Sequence, residues 1–96
     1  MTPRKAPQPP AIPAGLEELL PAFVAEMQKD LAALQGLVVV GGPDLAGHLH
    51  AMRGKCAMYG EDTLFGLLGL MERAHPNREA LMREIASRVE ELGQLI

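Results

Sequence analysis

The stretch His50-Ala51-Met52-Arg53-Gly54-Lys55-Cys56-Ala57-Met58-Tyr59-Gly60 carries the clearest pattern in the chain. With Leu45 and Leu49 ahead of it, the residues Leu45, Leu49, Met52, Cys56 and Tyr59 recur at steps of three and four. Residues so spaced share one face of an α-helix, so this stripe predicts a helix with one buried side. The adjoining stripe holds Ala46, His50, Arg53, Gly54 and Ala57. It places an imidazole, a cation one turn on and a position without a side chain in a single surface patch. His48 and Lys55 point elsewhere; two residues of helix turn the chain by about 200°. Pro43 or Asp44 opens this helix, with proline at an early position and the aspartate at the positive end of the dipole. Gly60 ends it, because glycine enters the left-handed region without a Cβ penalty.

Three more amphipathic segments flank this one. Upstream, Leu16, Leu19, Leu20, Phe23, Val24, Met27, Leu31, Leu34 and Val38 predict a helix over about Leu16 to Leu37. Pro21 is tolerable only in a first turn, which moves the regular start to Leu19 or Leu20. Gly36 announces the end of this helix, and Gly41-Gly42-Pro43 makes a strong break. Downstream, Leu64, Leu67, Leu68 and Met71 predict a helix over about Asp62 to Ala74. His75-Pro76-Asn77 reads as an exposed turn, with Asn77 able to cap the next helix. That last helix carries Leu81, Met82, Ile85, Val89, Leu92 and Ile96 on its apolar side. Arg78, Glu79, Arg83, Glu84, Arg88, Glu90 and Glu91 take its wet side. The fold class is all-α, an antiparallel four-helix bundle spanning residues 16–96. Residues 1–15 hold five of the eight prolines and read as a flexible Pro-rich arm.

Composition agrees and excludes several functions. Ninety-six residues make one small domain, in which roughly 60–70% of the unfolded surface can be buried. Hydrophobic residues form 48% of the chain but aromatics only 3%, a helical-core balance rather than a β-sandwich one. A net charge of −3 offers no global field for nucleic acid or an anionic membrane. The single cysteine, Cys56, excludes an internal disulfide and suits a reducing compartment. Leu37-Val38-Val39-Val40 is far too short to cross a membrane, and prolines stand where a signal peptide would need an apolar run. A cytoplasmic monomer is expected. No Walker loop, dinucleotide-binding glycine string or kinase signature is present, so no ATP site of a familiar kind is expected and the chain should not phosphorylate itself. His48 and His50, two apart, cannot share a metal ion from one regular helix, and no metal site is expected.

Neutral imidazole is a good nucleophile for phosphoryl exchange near pH 7. Phosphoryl transfer depends chiefly on positioning and charge neutralisation. Arg53 can offset charge developing beside His50, and its planar donor fork suits a phosphoryl group. Gly54 costs roughly 1 kcal/mol relative to alanine inside a helix, so close approach of a partner or tight helix packing should offset it.

This constellation resembles the histidine-containing phosphotransfer (HPt) domain of bacterial two-component phosphorelays. There, His-x-x-Lys-Gly followed by a downstream glycine marks the phosphorylated helix. Arg53 replaces the usual lysine here, and Lys55 and Cys56 stand where small residues are usual. The resemblance covers roughly residues 16–96. It implies that Glu72, on the following helix, accepts a hydrogen bond from the histidine's other nitrogen. A glutamate at that place is similar to the phosphotransfer domain of chemotaxis-type histidine kinases.

On this resemblance the expected function is that of a phosphocarrier. His50 would take a phosphoryl group from a receiver-domain phospho-aspartate and pass it to another receiver, with Arg53 and Glu72 assisting. Gly54, Lys55 and Ala57 would meet the partner, a response-regulator receiver. The receiver would bring the Mg²⁺, so the chain needs no cofactor of its own. Two other readings stay open: a catalytically silent helical adaptor that binds a receiver, and a detached kinase phosphotransfer domain phosphorylated by an ATP-binding histidine-kinase domain.

Overall fold

The computed structural model describes residues 9–73 and 76–96. Four α-helices follow one another: α1, Leu20–Val40; α2, Pro43–Met58; α3, Asp62–Glu72; and α4, Arg78–Gly93. A short 3-10 turn, Glu17–Leu19, leads into α1. No strand occurs among the described residues. α1 packs against α2 and α4, and α3 packs against the same two helices. No helix among the described residues is long and apolar enough to cross a membrane.

The boundaries follow local chemistry. Pro21 lies in the first turn of α1, where its missing N–H costs nothing. α1 extends to Val40 rather than stopping near Leu37, passes through Gly36, and ends only where Gly41 adopts φ +74°. Val39 and Val40 consequently end in solvent. Asn77 caps α4 as expected, accepting from the Ala80 N–H at 3.1 Å. α3 stops at Glu72, short of the expected Ala74. The expected turn at His75 lies outside the described residues.

Each helix contributes to one core. Met27 and Leu34 from α1, Leu49 and Met52 from α2, Leu64 and Leu68 from α3, and Ile85 and Leu92 from α4 are all buried. Phe23 and Tyr59 stack with ring centroids 4.6 Å apart. Truncating any of the buried leucines to alanine would cost about 2–5 kcal/mol.

Three charged residues are buried: Asp30, facing Lys55 across the α1–α2 seam, and the pair Glu61 and Arg88. Arg88, expected on the wet side of α4, is only 6% exposed, and Glu61 is 1% exposed. Arg88 Nη2 donates to Glu61 Oε1 at 2.6 Å and its Nε to Oε2 at 3.0 Å. Glu61 Oε2 also accepts the Leu64 N–H at 2.9 Å, capping α3. The burial follows from register: Leu81, Ile85, Arg88 and Leu92 are spaced four, three and four, so Arg88 lies within the apolar stripe. Ile96 departs in the opposite sense: it lies beyond α4 and is 60% exposed.

The Pro-rich segment expected to be a flexible arm is fastened at its described end. Pro10 is buried, and the Ala11 N–H donates to the Gly60 carbonyl at 3.1 Å. Gly60 adopts φ +69°, and a Cβ there would run into the Ala11 backbone. This contact, together with the turn, requires glycine. Residues 1–8 of that arm lie outside the described residues.

Removing one member of the buried pair leaves an uncompensated charge, whereas replacing both with apolar residues does not. Glu61→Ala should therefore lower stability by about 3–5 kcal/mol in urea unfolding. Glu61→Leu combined with Arg88→Met should recover most of that loss. Cys56 gives a second expectation. Burial, helped by the charges of Glu61 and Asp30, pushes its thiol from 9.0 up to about 12. The folded-state value is the raised one, so this contribution is complete below about pH 9 and fades as pH climbs. The native thiol should resist alkylation at pH 8 and react on unfolding, and the urea midpoint should fall between about pH 9 and 11.

Candidate functional site

α2 buries Leu45, Leu49, Met52 and Cys56, which turns His50 outward with its side chain 86% exposed. The surrounding surface is nearly bare. Ala46, Gly47, Ala51, Gly54 and Ala57 are all exposed, and none has a side chain longer than a methyl group. A Cβ built on Gly47 or Gly54 would meet no atom within 4 Å. Tight helix packing therefore does not account for Gly54. The imidazole stands above a stretch of small residues that ends at the exposed Met58, one turn beyond Gly54.

α3 supplies the second half of the site. Glu72 Oε1 lies 4.0 Å from His50 Nδ1. That is beyond hydrogen-bond reach. Oε1 is buried and accepts no hydrogen bond, so one lone-pair set faces the histidine unused. The other oxygen, Oε2, accepts from Arg53 Nη1 at 2.6 Å. Arg53 is therefore no freely solvated cation: Glu72 holds its guanidinium one helix turn from His50. A carboxylate facing Nδ1 favours a proton there, which leaves the Nε2 lone pair available. His50, Arg53, Gly54, Ala57 and Glu72 thus share one surface.

Lys55 does not join them. Its Nζ lies 2.7 Å from Glu26 Oε1 and 2.9 Å from Asp30 Oδ2, both on α1. Hydrogen bonds to these two carboxylates raise the lysine's pKa, and the lysine hydrogen bond lowers that of Glu26. Its charge is already matched, and the patch expected to contain it is correspondingly smaller. His48 belongs to the same α1–α2 seam, its Nε2 lying 2.9 Å from the Asp30 carbonyl oxygen. Two further residues of the site had no reading from sequence. The Phe65 ring lies 4.6 Å beneath the Arg53 guanidinium carbon. Gly69 lies beside the same side chain. Phe65, Gly69 and Glu72 are spaced four and three on α3, the signal that would have found them.

Among the described residues, no group of three or more histidine, cysteine, aspartate or glutamate side chains is placed to hold a metal ion. The exposure of His50 against the anchored His48 sets an order of reactivity. Diethyl pyrocarbonate should modify His50 well before His48, as peptide mapping of a brief reaction would show. Equal rates would mean that the His48–Asp30 contact does not persist in solution.

Comparison with known proteins leaves the assignment to this geometry: no family model, no curated protein and no solved structure matches the chain.

Proposed function

We propose that this chain is a histidine phosphocarrier of a two-component phosphorelay, an antiparallel four-helix bundle of the HPt type acting as a cytoplasmic monomer. The observation that carries this reading is the exposed His50 on a bare helix face, with an unpartnered Glu72 oxygen 4.0 Å from its Nδ1. A nucleophile that must meet another protein's active site needs such exposure. Phosphoryl exchange also needs one ring nitrogen to keep its proton while the other attacks.

The Nε2 lone pair of neutral His50 attacks the phosphorus of a receiver's phospho-aspartate. The N–P bond forms, the acyl P–O bond breaks, and the aspartate leaves as carboxylate. The imidazole becomes a phosphoimidazolium whose Nδ1–H is directed to Glu72. Arg53, one turn away, offsets part of the phosphoryl charge, while Gly54 and Ala57 admit the partner closely. The Mg²⁺ for the reaction belongs to the receiver; the carrier contributes the nucleophile and its orientation. A second reading has one observation in its favour. The carboxylate at position 72 also suits a kinase phosphotransfer domain, charged by an ATP-bound histidine-kinase domain.

The test is incubation with phosphorylated receiver domains, followed by a search for acid-labile, base-stable label. His50→Gln should abolish label and His48→Gln should leave it largely intact. Label retained in His50→Gln would overturn the assignment. Label supplied only by a histidine-kinase domain with ATP would favour the second reading. Receiver binding without label from any donor would leave the silent adaptor.

A further inference from the structure

We infer that Phe65 is a positioning residue of the His50 site: its ring, with the gap at Gly69, seats the Arg53 guanidinium against Glu72 and makes arginine rather than lysine the cation this site requires. The inference rests on the phosphocarrier reading and extends it to a residue outside the His50–Arg53–Glu72 group.

Phe65, Gly69 and Glu72 form one stripe of α3 facing Arg53 of α2. The guanidinium touches all three. Its carbon lies 4.6 Å from the Phe65 ring centroid. At Gly69, a built Cβ would lie 3.5 Å from Arg73 Nη2, 3.6 Å from Arg53 Nε and 3.7 Å from Arg53 Cζ, so two arginines share this gap. A methyl group would just fit, and anything longer would take the guanidinium's place. At the far end, Nη1 donates to Glu72 Oε2 at 2.6 Å.

One hydrogen bond does not fix a planar group. Arg53 Nε is buried and has no hydrogen-bond partner, so nothing polar holds that end of the side chain. The aromatic face supplies the missing restraint, because a guanidinium stacks flat on a ring and is attracted by its quadrupole. A lysine ammonium has no plane to stack and a strong hydration shell to keep. In this trench it would be free to leave Glu72. The carboxylate would then lose the partner that keeps its other oxygen turned toward His50. Phe65 itself is 37% exposed, a poor position for a large aromatic whose only task is core packing.

The experiment is a double-mutant cycle on Arg53→Lys and Phe65→Leu, with phosphoramidate as phosphoryl donor so that no partner surface takes part. In that reaction His50 Nε2 bonds to phosphorus, the P–N bond breaks and ammonia leaves. Each single variant should slow labelling of His50 about two- to fivefold. The double variant should be no slower than either, because both remove the same contact. Phe65→Trp should restore the rate, and the Arg53 Nε–H resonance should broaden in Phe65→Leu but not in Phe65→Trp. Additive losses, or full activity in Arg53→Lys, would overturn this inference while leaving the phosphocarrier reading intact. A wild-type chain that takes no phosphoryl group on His50 would overturn both.

Discussion

Glu61 binds three helices at once. Its N–H donates to the Cys56 carbonyl at the end of α2, at 2.8 Å. Its carboxylate caps the first turn of α3 and holds the buried Arg88 of α4. Because the residue lies directly between α2 and α3, it sets where α3 begins and how it is rotated against α2. Everything opposite Arg53 depends on that rotation. A turn of α3 by one residue, about 100°, would carry Phe65, Gly69 and Glu72 away from the α2 face. The cost of desolvating two charges buys little net stability, but it specifies one arrangement over its neighbours.

Around His50 the charges are arranged to cancel locally. Arg53 is matched by Glu72, and Lys55 by Glu26 and Asp30. The helix that bears the histidine therefore carries no unmatched cation at Arg53 or Lys55, and Met58 is its one large exposed apolar side chain. The seam between α1 and α2 is fixed by polar contacts two turns apart, His48 and Lys55, and neither involves His50, Gly54 or Ala57.

The four helices and their order are legible in the apolar spacing, and the α4 cap in Asn77. The outward direction of His50 and Gly54 follows from the stripe beside Leu49 and Met52. Charged residues in apolar positions are what sequence conceals. Arg88 lies in register with Leu81, Ile85 and Leu92, and Asp30 with Phe23, Met27 and Leu34, yet residue type argues for solvent. Asp30 meets Lys55 of α2, and Arg88 meets Glu61 of the α2–α3 link besides Glu91 of its own helix; no spacing within one helix reveals a partner across the bundle. The same reason hides Phe65. Its importance lies in what α2 lays upon it, and only the packing of α2 on α3 makes that visible. Lys55 differs: its place on the helix is readable from spacing, but the acidic residues of α1 that face it are not.

The bareness of α2 has a further side. Gly47 and Gly54 each lower the intrinsic tendency of that helix to form by about 1 kcal/mol, and they fall within 16 residues. A segment of that length with two such residues has little helicity on its own. Its order is lent by α1 and α3, through Leu49, Met52 and Cys56. The helix that carries His50 therefore depends on its neighbours for its order. The shape of its outer face is maintained from behind.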